Sequence, residues 1–266
     1  NVEFFVDDNK YNYYYNSVVY DNLGNISVPN AINDRINNLG GTYTYFAKNV
    51  VAKLLVSNAI SDQSISNIEA NATYILNEDY NFSFEYQKQN SLPALNYTLY
   101  QSNYIDYNWS NNFKNEKLNQ FKIAANTKWI DLSFNYKIIN DYLYFENETN
   151  DITLLKVKPK QFENTINYIS FQAKKEIKYG KFALDNTILY QNVDQATNII
   201  NVPQIVTRNT IYFSDKVFKK AMQIQTGITF NYFTEFYAND YNPLLGEFYV
   251  QNQTKIGGFP LLDFFV

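Results

Sequence analysis

Lys220-Ala-Met-Gln-Ile-Gln-Thr-Gly-Ile-Thr-Phe-Asn-Tyr-Phe-Thr-Glu-Phe-Tyr-Ala238 is the stretch whose reading decides the fold. One alternate set, Met222, Ile224, Thr226, Ile228, Phe230, Tyr232 and Phe236, carries no charge. The other, Gln223, Gln225, Gly227, Thr229, Asn231 and Glu235, is mostly polar. Strand side chains point to opposite faces with period two, so the segment presents one apolar and one wet face. Strands in soluble proteins run about 5–6 residues, and this alternation lasts about three times that. At about 3.3 Å per residue it is long enough to cross a bilayer. The expectation is a transmembrane β-strand, with Met222 to Phe236 toward lipid and Gln223 to Asn231 toward a lumen. Tyr237 and Tyr241 then fall near the outer boundary.

Composition agrees with that strand and excludes several alternatives. The 266 residues have a mean hydropathy of −0.40 and 45% hydrophobic content, and no apolar run approaches the ~18 residues of a membrane helix. A barrel survives this test because its strands are only half apolar. Tyr 25 and Phe 21 stand against Trp 2, and tyrosine, with an apolar body and a polar tip, suits a water–lipid boundary. Cys 0 removes disulfides and thiolate chemistry, and His 0 removes the commonest general base and metal ligand. No enzyme, metal or cofactor is therefore expected. The carboxylate pairs Asp7/Asp8 and Glu78/Asp79 read as solvated turn residues. A net charge of −4 and a pI of about 5.0 give no footprint for nucleic acid. No basic, apolar, small-residue signal pattern opens the chain and Val2-Glu3-Phe4-Phe5-Val6 is already strand-like, so either a removed signal or a fragment is expected.

Residues 1–40 are the least regular. Tyr11–Tyr20 reads as a strand followed by a polar connection with Gly24 and Pro29. Thr42–Ala47 and Val50–Ser57 follow as strands, then Asn67–Leu76 and Tyr80–Lys88 as a hairpin across Asn77-Glu78-Asp79. Ser91–Ser102 reads as a loop. Asn103–Ser110, Leu118–Asn126 and Trp129–Phe145 read as strands, and Glu146–Lys160 as a polar connection. Asn164–Lys178 and Lys181–Asn192 flank Tyr179-Gly180, although Asn167, Lys175 and Asn186 fall on their otherwise apolar side. Ile205–Phe213 and Phe218–Tyr237 flank a turn near Ser214-Asp215-Lys216. Glu247–Ile256 and Leu261–Val266 complete the set. From residue 129 onward, long connections (146–160, 193–204, 238–246) alternate with short ones, as in transmembrane barrels. Between residues 89 and 116 the parity is ambiguous.

A soluble sandwich also alternates. Strand length, uncharged Tyr/Phe faces and the near absence of helix signals favour the membrane, where a spanning sheet must close on itself. The expected fold is a single all-β domain over 1–266, a transmembrane antiparallel up-and-down barrel of roughly 14–18 strands, with short periplasmic turns and longer extracellular loops.

Two C-terminal stretches carry a resemblance: Tyr241-Asn242-Pro243-Leu244-Leu245-Gly246-Glu247-Phe248-Tyr249 and Lys255-Ile256-Gly257-Gly258-Phe259-Pro260-Leu261-Leu262-Asp263-Phe264-Phe265. With Thr127–Leu132, Val217–Ala221 and Gln225–Phe230, they resemble the putative porin family of Bacteroidota from about residue 40 onward. The resemblance implies an outer-membrane β-barrel in a diderm bacterium. Members are longer at the N-terminus and continue past the Asp-Phe-Phe block, so an incomplete chain is expected.

The functional expectation is a passive diffusion channel for small polar solutes, embedded in outer-membrane lipid. Glu69, Asn71, Thr73, Ser83, Glu85, Asp131, Asn135, Gln223, Gln225, Thr229 and Asn231 would line its wet interior. One alternative is a structural or accessory barrel among other outer-membrane proteins of an insertion, secretion or uptake machine. Another is a soluble extracellular adhesin.

Overall fold

Twelve strands join into one antiparallel sheet in the computed structural model, which describes residues 1–61, 63–149 and 154–266. In chain order they are β1 (Val2–Tyr14), β2 (Ala31–Phe46), β3 (Val50–Ala59), β4 (Ser66–Asn77), β5 (Tyr80–Ser91) and β6 (Glu116–Asn126). Then come β7 (Asp131–Asn140), β8 (Ile166–Tyr179), β9 (Phe182–Asp194), β10 (Ile205–Val217), β11 (Met222–Phe233) and β12 (Leu261–Phe265). Each pairs antiparallel with the strand before and after it in this series, an up-and-down meander. The connections sort by end. Residues 47–49, 78–79, 127–130, 180–181 and 218–221 turn tightly at one end, and all the long connections lie at the other. The ambiguous region resolves as a long connection, 92–115.

The register fixes the faces. Phe84, Ile123, Phe134, Phe171 and Tyr190 lie side by side on five consecutive strands, all exposed. Phe82, Tyr74, Leu54 and Ile188 extend the same exposed apolar band. A soluble protein seldom exposes so continuous a patch, whereas a bilayer requires one. Aromatics edge the band at the tight-turn end: Tyr80 meets Trp129 edge-on with ring centroids 5.9 Å apart, and Phe182 meets Phe213 at 5.4 Å. Gly40 lets the inward ring of Phe5 cross the β1–β2 ladder, because a Cβ there would fall 2.3 Å from that ring.

Several expected boundaries move, each for a local reason. The turn read at Ser214-Asp215-Lys216 lies instead at 218–221, where Phe218, Lys219 and Lys220 take left-handed φ values of 51°, 57° and 74°. Ser214 to Val217 stay in the ladder opposite Met222 to Gln225. β11 also stops at Phe233, and Phe236 pairs with Ile256 in a separate short ladder, so it leaves the lipid-facing set. Trp129–Phe145 breaks at Asp141, whose φ of 58° turns the chain into a second ladder, Tyr142–Asn147 against Val157–Phe162. Asn103–Ser110 is mostly a turn, closed where the Ser102 amide donates to Asn108 Oδ1 (3.0 Å) and Asn108 Nδ2 donates to the Tyr104 carbonyl (2.7 Å). The first half of β2 escaped notice because Asn33, Arg35 and Asn37 face outward beyond the apolar band, where no polarity contrast marks the strand. Part of the connection 146–160 lies outside the described residues.

The buried core sits away from the sheet. Among the described residues, the buried apolar side chains of the twelve strands are Ala59, Ile166 and Ala183. Leu99, Tyr107, Trp109, Leu143, Phe145, Val157, Phe162, Ile199, Tyr249 and Val250 are buried in the long connections.

Candidate functional site: the wet face and the cap above it

All eleven residues expected to line the interior lie on the face opposite the apolar band. Asn71 stands across from Glu85 and Thr73 from Ser83 on β4–β5, and Asp131 across from Lys174 and Asn135 from Ser170 on β7–β8. Gln223, Gln225, Thr229 and Asn231 alternate along β11, opposite Lys216, Ser214, Thr210 and Arg208. They form a lining rather than one constellation. Glu69, Asn71 and Glu85 share a cleft of about 190 Å³ with Gln87 and Gln120. Gln225 and Thr229 border a cavity of about 510 Å³ further round the sheet, with Glu176, Asp185, Arg208 and Asp263.

Local pairs hold these side chains. Lys122 Nζ donates to Glu85 at 3.2 Å, Thr210 and Thr229 share a hydroxyl hydrogen bond of 2.9 Å, and Asn231 Nδ2 donates to Asp263 Oδ2 at 2.8 Å. Tyr212 and Lys178 both donate to Glu176. Such half-exposed ion pairs contribute about 0–1 kcal/mol each, so they orient charges more than they stabilise. Sequence reading missed Lys122, Glu176, Asp185, Arg208 and Asp263. Lys122 was legible from its place between Phe121 and Ile123, whereas Glu176 and Asp185 sat in strands whose faces looked mixed. Acidic side chains predominate on this face: Glu3, Asp7, Asp34, Glu69, Glu85, Glu116, Asp131, Glu176, Asp185 and Asp263 outnumber Lys53, Lys122, Lys137, Lys174, Lys178, Arg208 and Lys216.

Over one end of this face the long connections pack into a cap. Ile139, Ile166 and Val193, inward positions of β7, β8 and β9, pack with Phe162, Ile199 and Val250, so the cap folds inward over the lumen side. Its centre is aromatic. Trp109 stacks on Tyr100 at 4.8 Å, Tyr97 stacks on Phe145 at 4.5 Å, and Tyr107, Val157 and Tyr249 complete the cluster. Polar atoms cross-link connections far apart in sequence. Trp109 Nε1 donates to the Asn96 carbonyl (2.9 Å), Asn96 Nδ2 to Glu247 (2.7 Å), Tyr107 to the Leu155 carbonyl (2.8 Å) and Gln101 Nε2 to the Pro29 carbonyl (2.8 Å). Buried Asn242 donates to the Tyr107 hydroxyl at 3.0 Å and accepts from the Leu244 and Leu245 amides, which holds the bend before Gly246.

Burial shifts the cap's titrations. It pushes the Tyr249 phenol up to about 12, aided by its hydrogen bond to Asp240. Tyr144 likewise rises to about 12 through burial and the neighbouring Glu146. Burial also lowers the Lys158 ammonium, which sits 5.1 Å above the Trp109 ring, with Glu148 and Asp106 opposing that shift. A phenol with a raised folded-state pKa contributes stability that is complete below its ordinary value of 10.0 and lost as pH rises through about 12. Protease nicking of the connections should therefore begin between about pH 10 and about pH 12 while the strand circular-dichroism signal persists. Loss of both together would contradict a separately titrating cap.

The comparisons agree with this architecture. The sheet is similar to the siderophore receptor PirA from Acinetobacter baumannii, with TM-score 0.53, 11% identity, and coverage of 78% of this chain and 34% of that one. It is similar to the copper transporter OprC, with TM-score 0.52, 11% identity, and coverage of 76% and 34%. It is also similar to P. aeruginosa FpvA bound to heterologous pyoverdines, with TM-score 0.50, 12% identity, and coverage of 98% and 38%. The chain thus spans about a third of the length of these outer-membrane β-barrels and shares their fold. No curated protein matches it. The family model described as "Putative porin" matches residues 1–266. The chain belongs to the putative porin family and is an outer-membrane β-barrel protein of a Gram-negative bacterium.

Proposed function

We propose that the barrel is a passive channel for small polar solutes, with the cap as its constriction. The observation that carries this reading is a polar inner face crossed by cross-linked connections that turn inward at β7–β9. A hydrated lining offers solutes the hydrogen bonds they leave behind in water, and inward loops set the size limit. β1 and β12 each keep an unpaired edge among the described residues. Hydrocarbon offers such an edge no partner, so in the membrane further barrel strands complete the sheet. No enzymatic role is assigned, since neither His nor Cys is available for nucleophilic or metal chemistry.

The test is planar-bilayer recording of the full-length protein folded in lipid. Stepwise conductance is expected, and a folded barrel that conducts nothing would overturn the proposal. The acidic lining predicts a preference for cations. Asp185→Asn combined with Asp263→Asn should lower the cation-to-anion permeability ratio about two- to fivefold, the size of a Coulomb interaction of about 1 kcal/mol in a wet pore. Arg208→Gln should raise it. Reversal potentials across a salt gradient measure both.

A further inference from the structure

One arc of the lipid-facing band breaks its own rule. On β9 the outward residues are Phe182, Leu184, Asn186, Ile188 and Tyr190, followed by Asn192 and Asp194 at the long-connection end, which puts the Asn186 carboxamide at the centre of the apolar run. In register beside it lie Lys175 on β8 and Asn209 on β10. Exposed apolar side chains surround the three: Phe171, Ile177, Ile188 and Ile211. From β2 to β7 the outward polar residues Asn58, Lys88 and Asn119 lie only at the long-connection edge of the band, in register with Leu39, Ile68 and Ile138, and its centre carries neither charge nor amide. Polar groups facing lipid are costly and seldom persist without a partner. Lys175 has one, since its ammonium reaches the Lys128 carbonyl at 2.5 Å in the adjacent turn. The asparagines are only half satisfied. Asn209 Nδ2 donates to Thr207 Oγ1 at 2.8 Å, and Asn186 Nδ2 makes only long contacts of 3.4 and 3.5 Å to backbone carbonyls. Neither Oδ1 accepts a hydrogen bond from a described residue.

We propose that this arc, β8 to β10, is where a second copy of the chain docks within the membrane about a two-fold axis along the membrane normal. Both copies insert in the same orientation, so such an axis brings each side chain opposite one at its own depth. The carboxamides of Asn186 and Asn209 then meet carboxamides, and each group is both donor and acceptor, hence self-complementary. The flanking isoleucine, leucine and phenylalanine side chains meet their own kind and supply the packing. The Lys175 ammonium, turned toward the Lys128 carbonyl, stays clear of its counterpart. An unrelated partner would need its own polar row at the same depth, whereas the second copy has one by construction.

The absence of cysteine makes the test clean. Single variants Asn186→Cys and Asn209→Cys, with Phe84→Cys on β5 as a lipid-facing control, are treated in native outer membranes with a short bis-maleimide. A dimer-sized adduct is expected for one or both asparagine positions and not for Phe84→Cys. Monomer alone at both positions, an adduct of another size, or equal cross-linking at Phe84→Cys would each overturn the proposal. A second measurement guards against misfolding of the cysteine variants. The double variant Asn186→Leu/Asn209→Leu should keep its heat-modifiable gel shift and unit conductance while its dimer dissociates about tenfold more readily. An unchanged dimer in that variant would likewise count against the asparagines.

Discussion

Trp109→Ala is expected to loosen the cap and raise single-channel conductance more than any substitution on the strands. The indole stacks on Tyr100 at 4.8 Å and lies 6.3 Å from Phe145. Its Nε1 holds the Asn96 carbonyl, and the Asn96 side chain holds Glu247. Removing a buried tryptophan costs about 3–5 kcal/mol, partly through the cavity left behind. It also leaves the Asn96 carbonyl without its donor, a further cost of about 1–3 kcal/mol if it stays buried. The cap does not close the gap by repacking alone, because Tyr97 and Phe145 are already committed to each other at 4.5 Å. The expected readout is larger and noisier unit conductance, with protease cleavage appearing in 92–115 and 234–260. Trp109→Phe should fall between wild type and alanine, since it keeps the stack and loses the hydrogen bond. Identical conductance and protease resistance in all three proteins would show that the cap does not limit the pore.

Gly227→Val should prevent β12 from docking. An added Cβ would lie 2.4 Å from the Ile211 carbonyl oxygen, 2.7 Å from Tyr212 Cβ and 2.9 Å from the Phe265 ring. Two of those neighbours are backbone or its first side-chain carbon, so no rotamer change relieves the clash. Overpacking a tight site costs about 1–3 kcal/mol, and a branched side chain against a ladder carbonyl belongs at the upper end. β12 is held by only five registered positions, Gly227 to Asn231 against Phe265 to Leu261, so a clash at the first of them removes much of its pairing. Loss of the heat-modifiable gel shift and accumulation of unfolded chain are expected. Gly180→Ala is the control. That glycine has a φ of 61° but nothing within 4 Å of an added Cβ, so the strain of about 1–2 kcal/mol should leave assembly intact. Normal assembly of Gly227→Val would mean that the β10–β12 ladder yields locally.

The sheet was legible where two solvents touched one strand. Tyr80 to Lys88 and Gln223 to Asn231 alternate sharply because lipid lies on one side and water on the other. Legibility failed where that contrast vanished. Ala31 to Asn38 continue a strand beyond the band with water on both faces, and nothing in their polarity marks them. Asp141 was missed because a single left-handed residue ends a strand without glycine or proline to announce it. The lining residues were readable one at a time, yet their neighbours in space were not. Arg208 and Asp263 come together only through a register that spans three strands. The cap was least legible of all, since Trp109, Phe145 and Tyr249 lie far apart in sequence and carry no shared period.

Because the buried apolar side chains lie in the connections and the exposed ones on the strands, the molecule is stabilised by two different media. The strands depend on hydrocarbon around them, and the cap depends on water being driven from its own interior. Change therefore falls unevenly across the chain. On the outward strand face almost any apolar side chain serves, because lipid accommodates every shape. In the cap, where Trp109, Val157 and Asn242 each fill a fixed space, a single substitution has to be answered by another. The usual relation is inverted: substitutions are expected to be tolerated least in the packed connections and most on the lipid-facing side of the strands.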